Sequence, residues 1–447
     1  MSRVTLSIYD HVGNPHYGGG GAVVVARIAA ALADEHTVTV FCGSYRGARS
    51  GVDGGVRYVF LPVGWAGPRG GQVLFQLLLP LVALVHRSEL WIESLTPPVS
   101  ASLLPLTARR PVLALVQMLC GADMQRRYGL PFEAVERRGL RLYRDVVVLN
   151  DVDAALVRAA NPRARVTVVP NGVDMPADEP GGSAGPILFL GRIDVRQKGL
   201  DLLIDAVAAE PGLRLDIAGS GTAAEVARLR LLVPPSAADR VRLLGRVEGE
   251  RKTALLRECR FAVVPSRYET FCLTALEALS HGKAVVHFDL ERLAWIGSGC
   301  GVAVPPFDVG ALAAAMRDLS ADGPRRAALG RSARDRAREH AWPVVTRHYR
   351  DLVAALLAGS APGAGRVQRR RRFRTVDRRR RVSSDSRDTS ADRVRAAAST
   401  EPRSAGPARP GNSITRACSR VPLARSALYD SLSPRRSSSR SSGSAKA

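Results

Sequence analysis

Paired cysteines are missing from this chain of 447 residues. Its six cysteines, Cys42, Cys120, Cys259, Cys272, Cys300 and Cys418, stand at no metal-ligand or redox-motif spacing. That argues for reduced thiols in a cytosolic protein. Clusters of the HxH, HxxxH or DxD kind are also missing, so no metal is expected. No apolar run is long enough to cross a bilayer. The longest, Val73–Val85, contains Pro80, and is read as a buried core helix, with a membrane-contacting helix as the other reading. No leader is expected, because the strand-like run Val4–Ile8 starts at once. The glycine loop Gly18–Gly21 lacks the Lys-Ser/Thr ending of a P-loop and the spaced glycines of a dinucleotide fingerprint. A P-loop NTPase and a dinucleotide dehydrogenase are disfavoured accordingly. No repeat of 20–50 residues is evident.

What is present suffices for two domains and more. Hydrophobic residues make up 46% of the chain, enough for real cores. The net charge of +24 is concentrated at one end: residues 361–447 hold 22 basic against 6 acidic residues. That segment is dominated by Arg, Ser, Ala and Pro, and is expected to be a disordered tail.

Strand-like and helix-like segments alternate through the rest. Strands are predicted at Val4–Ile8, Thr37–Phe41, Val56–Phe60, Leu90–Ile92, Val112–Val116, Val146–Leu149 and Val166–Val169. A break rich in Pro, Gly, Asp and Ser spans Asp174–Pro186. A second series follows at Ile187–Leu190, Arg214–Ala218, Val241–Leu244, Phe261–Val264, Ala284–His287 and Gly301–Val304. Two doubly wound parallel sheets in tandem are implied, with a cleft between their facing strand ends. The expected divisions are 1–177, 178–343, a closing helix within 344–360, and the tail 361–447.

The stretch 263–286 carries the most chemistry. It reads as strand, loop, helix and strand, with Glu269 in the loop and Glu277 on the helix. A ligand seated over that helix N-terminus is within reach of both, and an anion is favoured there. Arg192 and Lys198 follow the first strand of the second series, where a bidentate fork and a point charge can hold a diphosphate. An exposed charged loop is the plain alternative. Gly219 and Gly221 close the next strand and let backbone approach a nucleotide. Cys272 is a nucleophile on paper, but no base is evident beside it, which favours a small buried residue.

Four segments together resemble the retaining glycosyltransferases of family 4, which have the GT-B architecture. They are Gly18–Gly21, Pro170–Asp174, Gly191-Arg192 through Lys198-Gly199, and Glu269–Glu277 with the following His281–Val286. The resemblance covers about 1–358. It implies a nucleotide diphosphate sugar, GDP- or UDP-linked, bound mainly by the second domain, and no cofactor or metal. Arg192 and Lys198 would neutralise the leaving diphosphate. Glu277 would hold the ribose, and Glu269 the donor sugar. The Phe271-Cys272-Leu273 backbone would lie near sugar and phosphate, and Gly19 and Gly20 would approach from the first domain. The first domain would take the acceptor: a glycan, a lipid-linked molecule or a small molecule. Two departures stand out. Members often carry a His at a first-domain strand end where Gln117 follows Val112–Val116, and Glu93 is another polar group at such an end; either is a candidate for facing the acceptor. The usual Pro-Glu after His287 is replaced by Leu290-Glu291-Arg292-Leu293.

The leading expectation is therefore a metal-independent hexosyltransferase acting in envelope or polysaccharide synthesis, cytoplasmic or peripheral on the inner membrane face. A nucleotide-sugar-binding protein that has lost turnover is the alternative within the same fold. The tail runs Arg369–Arg372 and Arg378–Arg381 would attract polyanions. An anionic membrane surface remains a possible partner, whereas the lack of interleaved aromatics disfavours nucleic acid. A tail with no selected function fits its composition as well.

Overall fold

The computed structural model describes residues 1–14, 20–95, 102–177 and 184–359, all of which fall in one compact unit. Gly18, Gly19 and the tail lie outside the described residues.

The first sheet has eight strands: β1 (Arg3–Ser7), β2 (Thr37–Gly43), β3 (Gly51–Asp53), β4 (Val56–Leu61), β5 (Leu90–Leu95), β6 (Val112–Val116), β7 (Asp145–Val148) and β8 (Arg165–Val168). Their order is β3-β4-β2-β1-β5-β6-β7-β8. All pairs are parallel except β3–β4. The second sheet has six: β9 (Ile187–Leu190), β10 (Leu215–Ala218), β11 (Val241–Gly245), β12 (Ala262–Val264), β13 (Val285–Phe288) and β14 (Gly301–Val304), in the order β11-β10-β9-β12-β13-β14 and parallel throughout. Strands buried on both faces read as unbroken apolar runs, as β6 and β9 do. β3 escapes this pattern because all three of its residues are exposed.

The helices of the first half are α1 (Gly20–Ala33), α2 (Gly67–Val85), α3 (Leu104–Thr107), α4 (Gly121–Tyr128), α5 (Phe132–Leu140) and α6 (Asp151–Ala160). Those of the second are α7 (Leu200–Ala209), α8 (Ala223–Leu232), α9 (Gly249–Glu258), α10 (Leu273–Ser280), α11 (Val309–Ala321), α12 (Gly323–Glu339) and α13 (Trp342–Gly359). α13 returns to the first half: Trp342, Val345, Tyr349, Val353 and Leu356 share a core with Val24, Ile28 and Leu32 of α1. The two passages between halves run side by side. Val173 N–H donates to His340 O at 2.9 Å, and Trp342 N–H donates to Val173 O at 3.0 Å. Gly172 lies against the Trp342 ring, where an added Cβ would collide.

One expectation is corrected. Val73–Val85 is not a buried core helix. It forms most of α2, whose inner face is Phe75, Leu79 and Ala83, while Val73, Leu77, Leu81, Leu84 and Val85 are exposed. No helix among the described residues is long and apolar enough to cross a membrane.

Candidate active site

The site gathers at the C-terminal ends of the second sheet's strands, where open α/β sheets hold ligands. Two glycine turns set its floor. Gly191 and Gly219 follow β9 and β10 and are packed so closely that an added Cβ at Gly219 would collide with the Gly191 carbonyl. Ile193 N–H donates to Ser220 O at 2.8 Å, and a Cβ at Gly221 would strike the Ile193 carbonyl. Only glycine allows this backbone-on-backbone contact. Gly199 is constrained twice, by φ +64° and by the Pro265 carbonyl against its α-carbon. It opens α7 and fixes Lys198 immediately before it.

Lys198, in the loop after β9, and Glu269, in the loop after the neighbouring β12, meet at the strand ends. Lys198 Nζ lies 2.6 Å from Glu269 Oε1, and the side chains are 18% and 8% exposed. Ser266 Oγ donates to the same oxygen at 2.7 Å. Burial alone would depress the Lys198 ammonium, but Glu269 more than offsets it and the pKa is raised, so the lysine is a cation at neutral pH. Arg192 is 62% exposed and donates to Gln197 Oε1 at 2.6 Å. A fixed cation and an open one thus flank the strand end.

The two glutamates have separate partners. Glu277, on α10, pairs with Lys252 of α9 at 2.9 Å. Lys252 was not singled out from the sequence, nor was Gln197. A signal was available: only four of the 65 basic residues are lysines. The three in the described residues all lie in the second half, and two of them hold the two glutamates.

α10 begins under strain. Cys272 is its N-cap in the left-handed region, φ +67°, unusual for a residue with a Cβ. Burial pushes its thiol up to about 12, so it is no thiolate nucleophile at neutral pH. Beneath it, Phe271 stacks on Trp295 with centroids 4.6 Å apart, and Trp295 Nε1 donates to Phe271 O at 2.8 Å. His340 packs edge-on against both rings, and burial brings its pKa down to about 4. The backbone at Phe271–Leu273 therefore rests on an uncharged aromatic floor.

The first half faces this loop closely. Gly20, at the start of α1, stands against Leu273, whose Cδ1 an added Cβ would meet. Tyr268 donates to Leu119 O at 2.8 Å. Asn150, which caps α6 by accepting from Asp153 N–H, also donates to Thr270 O at 2.9 Å. Contacts from the first domain thus hold residues on both sides of Glu269.

Comparison with known proteins agrees with this fold. Residues 18–175 match the family described as Glycosyltransferase Family 4, and residues 185–322 match Glycosyl transferases group 1. The chain belongs to family 4 of the GT-B glycosyltransferases. Similar proteins include the glycogen synthase of Mycobacterium tuberculosis, 35% identical over 191 residues, 39% of this chain and 44% of that one. The phosphatidyl-myo-inositol mannosyltransferase of Mycolicibacterium smegmatis is 31% identical over 192 residues, 40% of this chain and 49% of that one. The chain spans about half the length of the curated relatives it matches. Sucrose-phosphate synthase from Thermosynechococcus elongatus has the same fold, with a TM-score of 0.67 at 22% identity, over 79% of this chain and 100% of that one.

Within this family 4 chain the remaining sequence candidates separate. Arg192, Lys198, Glu269, Phe271, Cys272, Gly219 and Gly221 lie on the loops just described, Leu273 and Glu277 on α10, and Gly20 at the start of α1. Gly19 is outside the described residues. Gln117 follows β6, is half-buried, and lies two residues before the Leu119 carbonyl that receives Tyr268. Its Nε2 has no partner among the described residues. Glu93 does not present itself to a ligand. It is wholly buried and its Oε2 accepts from Tyr143 at 2.7 Å. Burial raises its pKa to about 7, with Ser102 and Tyr143 pulling it back. Among the described residues no group of three His, Cys, Asp or Glu is placed to hold a metal ion.

Proposed function

We propose that this chain transfers a hexose, with retention and without a metal, from a GDP- or UDP-linked sugar to an acceptor hydroxyl. The observation that carries the reading is the Lys198–Glu269 pair, 2.6 Å apart, with Arg192 beside it at the strand ends and Gly20 opposite. As the bond between the anomeric carbon and the diphosphate breaks, its electron pair passes to the leaving phosphate oxygen. Lys198 and Arg192 stand where that charge grows, and electrostatic stabilisation of this kind is the largest single contribution in many enzymes. The acceptor oxygen bonds to the same face of the anomeric carbon, and its proton passes to the departing phosphate. No protein nucleophile is required, in keeping with the buried, protonated Cys272. Glu269 would hold sugar hydroxyls and Glu277 the ribose.

The acceptor seat is assigned to the first domain near Gln117. Relatives named for glycogen synthesis and for mannosylation of phosphatidyl-myo-inositol suggest envelope or polysaccharide synthesis and leave a glycan and a lipid-linked acceptor equally open. The buried free cysteines support a cytoplasmic location. The test is turnover of a panel of GDP- and UDP-sugars, with and without acceptor extracts. Lys198→Ala and Glu269→Ala are expected to lower transfer by about 10²-fold or more; turnover unchanged in both would overturn the site assignment. Calorimetry that detects nucleotide binding while no sugar moves would replace the transferase reading with a binding protein.

A further inference from the structure

α2 is apolar on both faces: Phe75, Leu79 and Ala83 pack inward. Its two glutamines, Gln72 and Gln76, are buried, and its outer stripe is Val73, Leu77, Leu81, Leu84 and Val85, with Leu77 60% and Val85 82% exposed. Steps of four, four and three residues keep the stripe on one face. Trp65, 81% exposed, stands in the turn that leads into the helix. Leu103 and Leu106 of the adjoining α3 are exposed as well. Eight of the 17 exposed large hydrophobic residues of the described chain thus fall between positions 65 and 106. Isolated exposed leucines are ordinary, but a continuous apolar face marks a surface that something covers.

The surrounding charge selects the occupant. Arg87 after α2 and Arg109 and Arg110 after α3 are exposed, and the segment 62–111 has two acids. Glu93 is buried on Tyr143. Glu89 accepts from the Arg3 backbone N–H, which together with Ser2 and the charges of Arg3 and Arg110 holds its carboxyl below the usual range. A second copy on this face would set Arg87, Arg109 and Arg110 against themselves, with only Glu89, already engaged by Arg3, as an unburied acid of the segment. An anionic bilayer satisfies both parts: apolar side chains reach the acyl boundary while Trp and Arg sit among headgroups. We propose that the α2–α3 face docks this chain on an anionic lipid bilayer. The proposal is independent of the transfer reaction: a chain with no turnover still binds vesicles if it holds, and an active transferase stays in solution if it fails.

The test uses the full chain and vesicles of phosphatidylcholine containing about one-third phosphatidylglycerol, at physiological salt. Flotation measures partition, and brominated lipids report insertion of Trp65, since Trp91 and Trp342 are buried and Trp295 is stacked on Phe271 in the second domain. The wild type is expected to float and its fluorescence to be quenched. Leu77→Ser/Leu81→Ser is expected to reduce partition about tenfold or more and to remove the quenching. Leu103→Ser/Leu106→Ser on the neighbouring helix provides a second variant if the first folds poorly. Binding through the basic tail alone would persist in both variants, without quenching, and would overturn the proposal. A dimer in sedimentation velocity that Leu77→Ser/Leu81→Ser dissolves would assign the face to a second copy instead and overturn it equally.

Discussion

Arg292 of the second domain grips Asp153 of the first: Nε and Nη2 stand 3.0 and 2.8 Å from Asp153 Oδ1. The other carboxylate oxygen accepts from Asn150 Nδ2 at 2.9 Å, and the guanidinium lies over the Tyr268 ring. Asp153 is fully buried, and Arg292 is its cationic partner. The pair sits beside the two contacts, Tyr268 to Leu119 and Asn150 to Thr270, that hold residues on both sides of Glu269.

Removing only one partner leaves a buried charge unanswered. Arg292→Ala is expected to lower stability by about 3–5 kcal/mol, read by chemical denaturation. Arg292→Met with Asp153→Leu should recover most of that loss while leaving the domains unlatched. If closure positions Glu269, the double variant stays slow in transfer, with a larger radius of gyration by X-ray scattering. A double variant that regains both stability and wild-type turnover would reduce the pair to a structural role.

Lys198 and Glu269 make separable predictions. Lys198→Ala removes the fixed cation and is expected to lower kcat by about 10²–10³, with a smaller change in KM, because the charge it answers develops as the bond breaks. Lys198→Arg should restore little, since the 2.6 Å contact leaves no room for a planar fork. Glu269→Gln keeps the volume and removes the charge that holds Lys198 protonated, so the lysine's pKa falls and activity shifts to lower pH. A rate profile with the wild-type pH dependence in Glu269→Gln would contradict this.

The sequence made the strand ends and the glutamate loop legible because apolar runs, glycine turns and a helix stop have local signatures. Gly199 before α7 and His281-Gly282 after α10 are of this kind. The partners of the charged residues were not legible. Lys252 reaches Glu277 across 25 positions and Arg292 reaches Asp153 across 139, distances at which no spacing rule operates. α2 failed for a different reason: a run of valines and leucines reads the same whether it faces the core or the solvent, and here it does both, with Phe75 and Leu79 inward and Leu77 and Leu81 outward. Glu93 sits at a strand end like Gln117, yet it points to Tyr143, fifty positions on, and away from a ligand.

The Lys252–Glu277 pair bears on nucleotide binding. Glu277 is engaged by Lys252 at 2.9 Å, and both side chains are partly exposed, so the pair itself contributes about 1 kcal/mol or less to stability. Its expected importance is orientation of the carboxylate toward ribose hydroxyls. Glu277→Gln should weaken UDP or GDP binding about tenfold with the melting temperature nearly unchanged, and Lys252→Met should do so less. Calorimetry on the two variants decides it. Equal affinity in Glu277→Gln and wild type would remove the ribose role.

Glu93 predicts a pH dependence of stability that is unusual in sign for an acid. Burial raises its pKa from 4.5 to about 7 in the folded chain, while in the unfolded chain it titrates near the ordinary value. Between those two values the folded state binds more protons than the unfolded state, so stability falls as pH rises. The contribution is fully present below pH 4.5 and is lost on passing pH 7, by up to about 3 kcal/mol. Glu93→Gln cannot ionise and can still accept from Tyr143. It is therefore expected to match the wild type near pH 5 and to exceed it in stability near pH 8. Denaturation curves at the two pH values test this: a Glu93→Gln advantage that is the same at both, or larger at pH 5, would mean that the carboxyl is not held neutral by its surroundings.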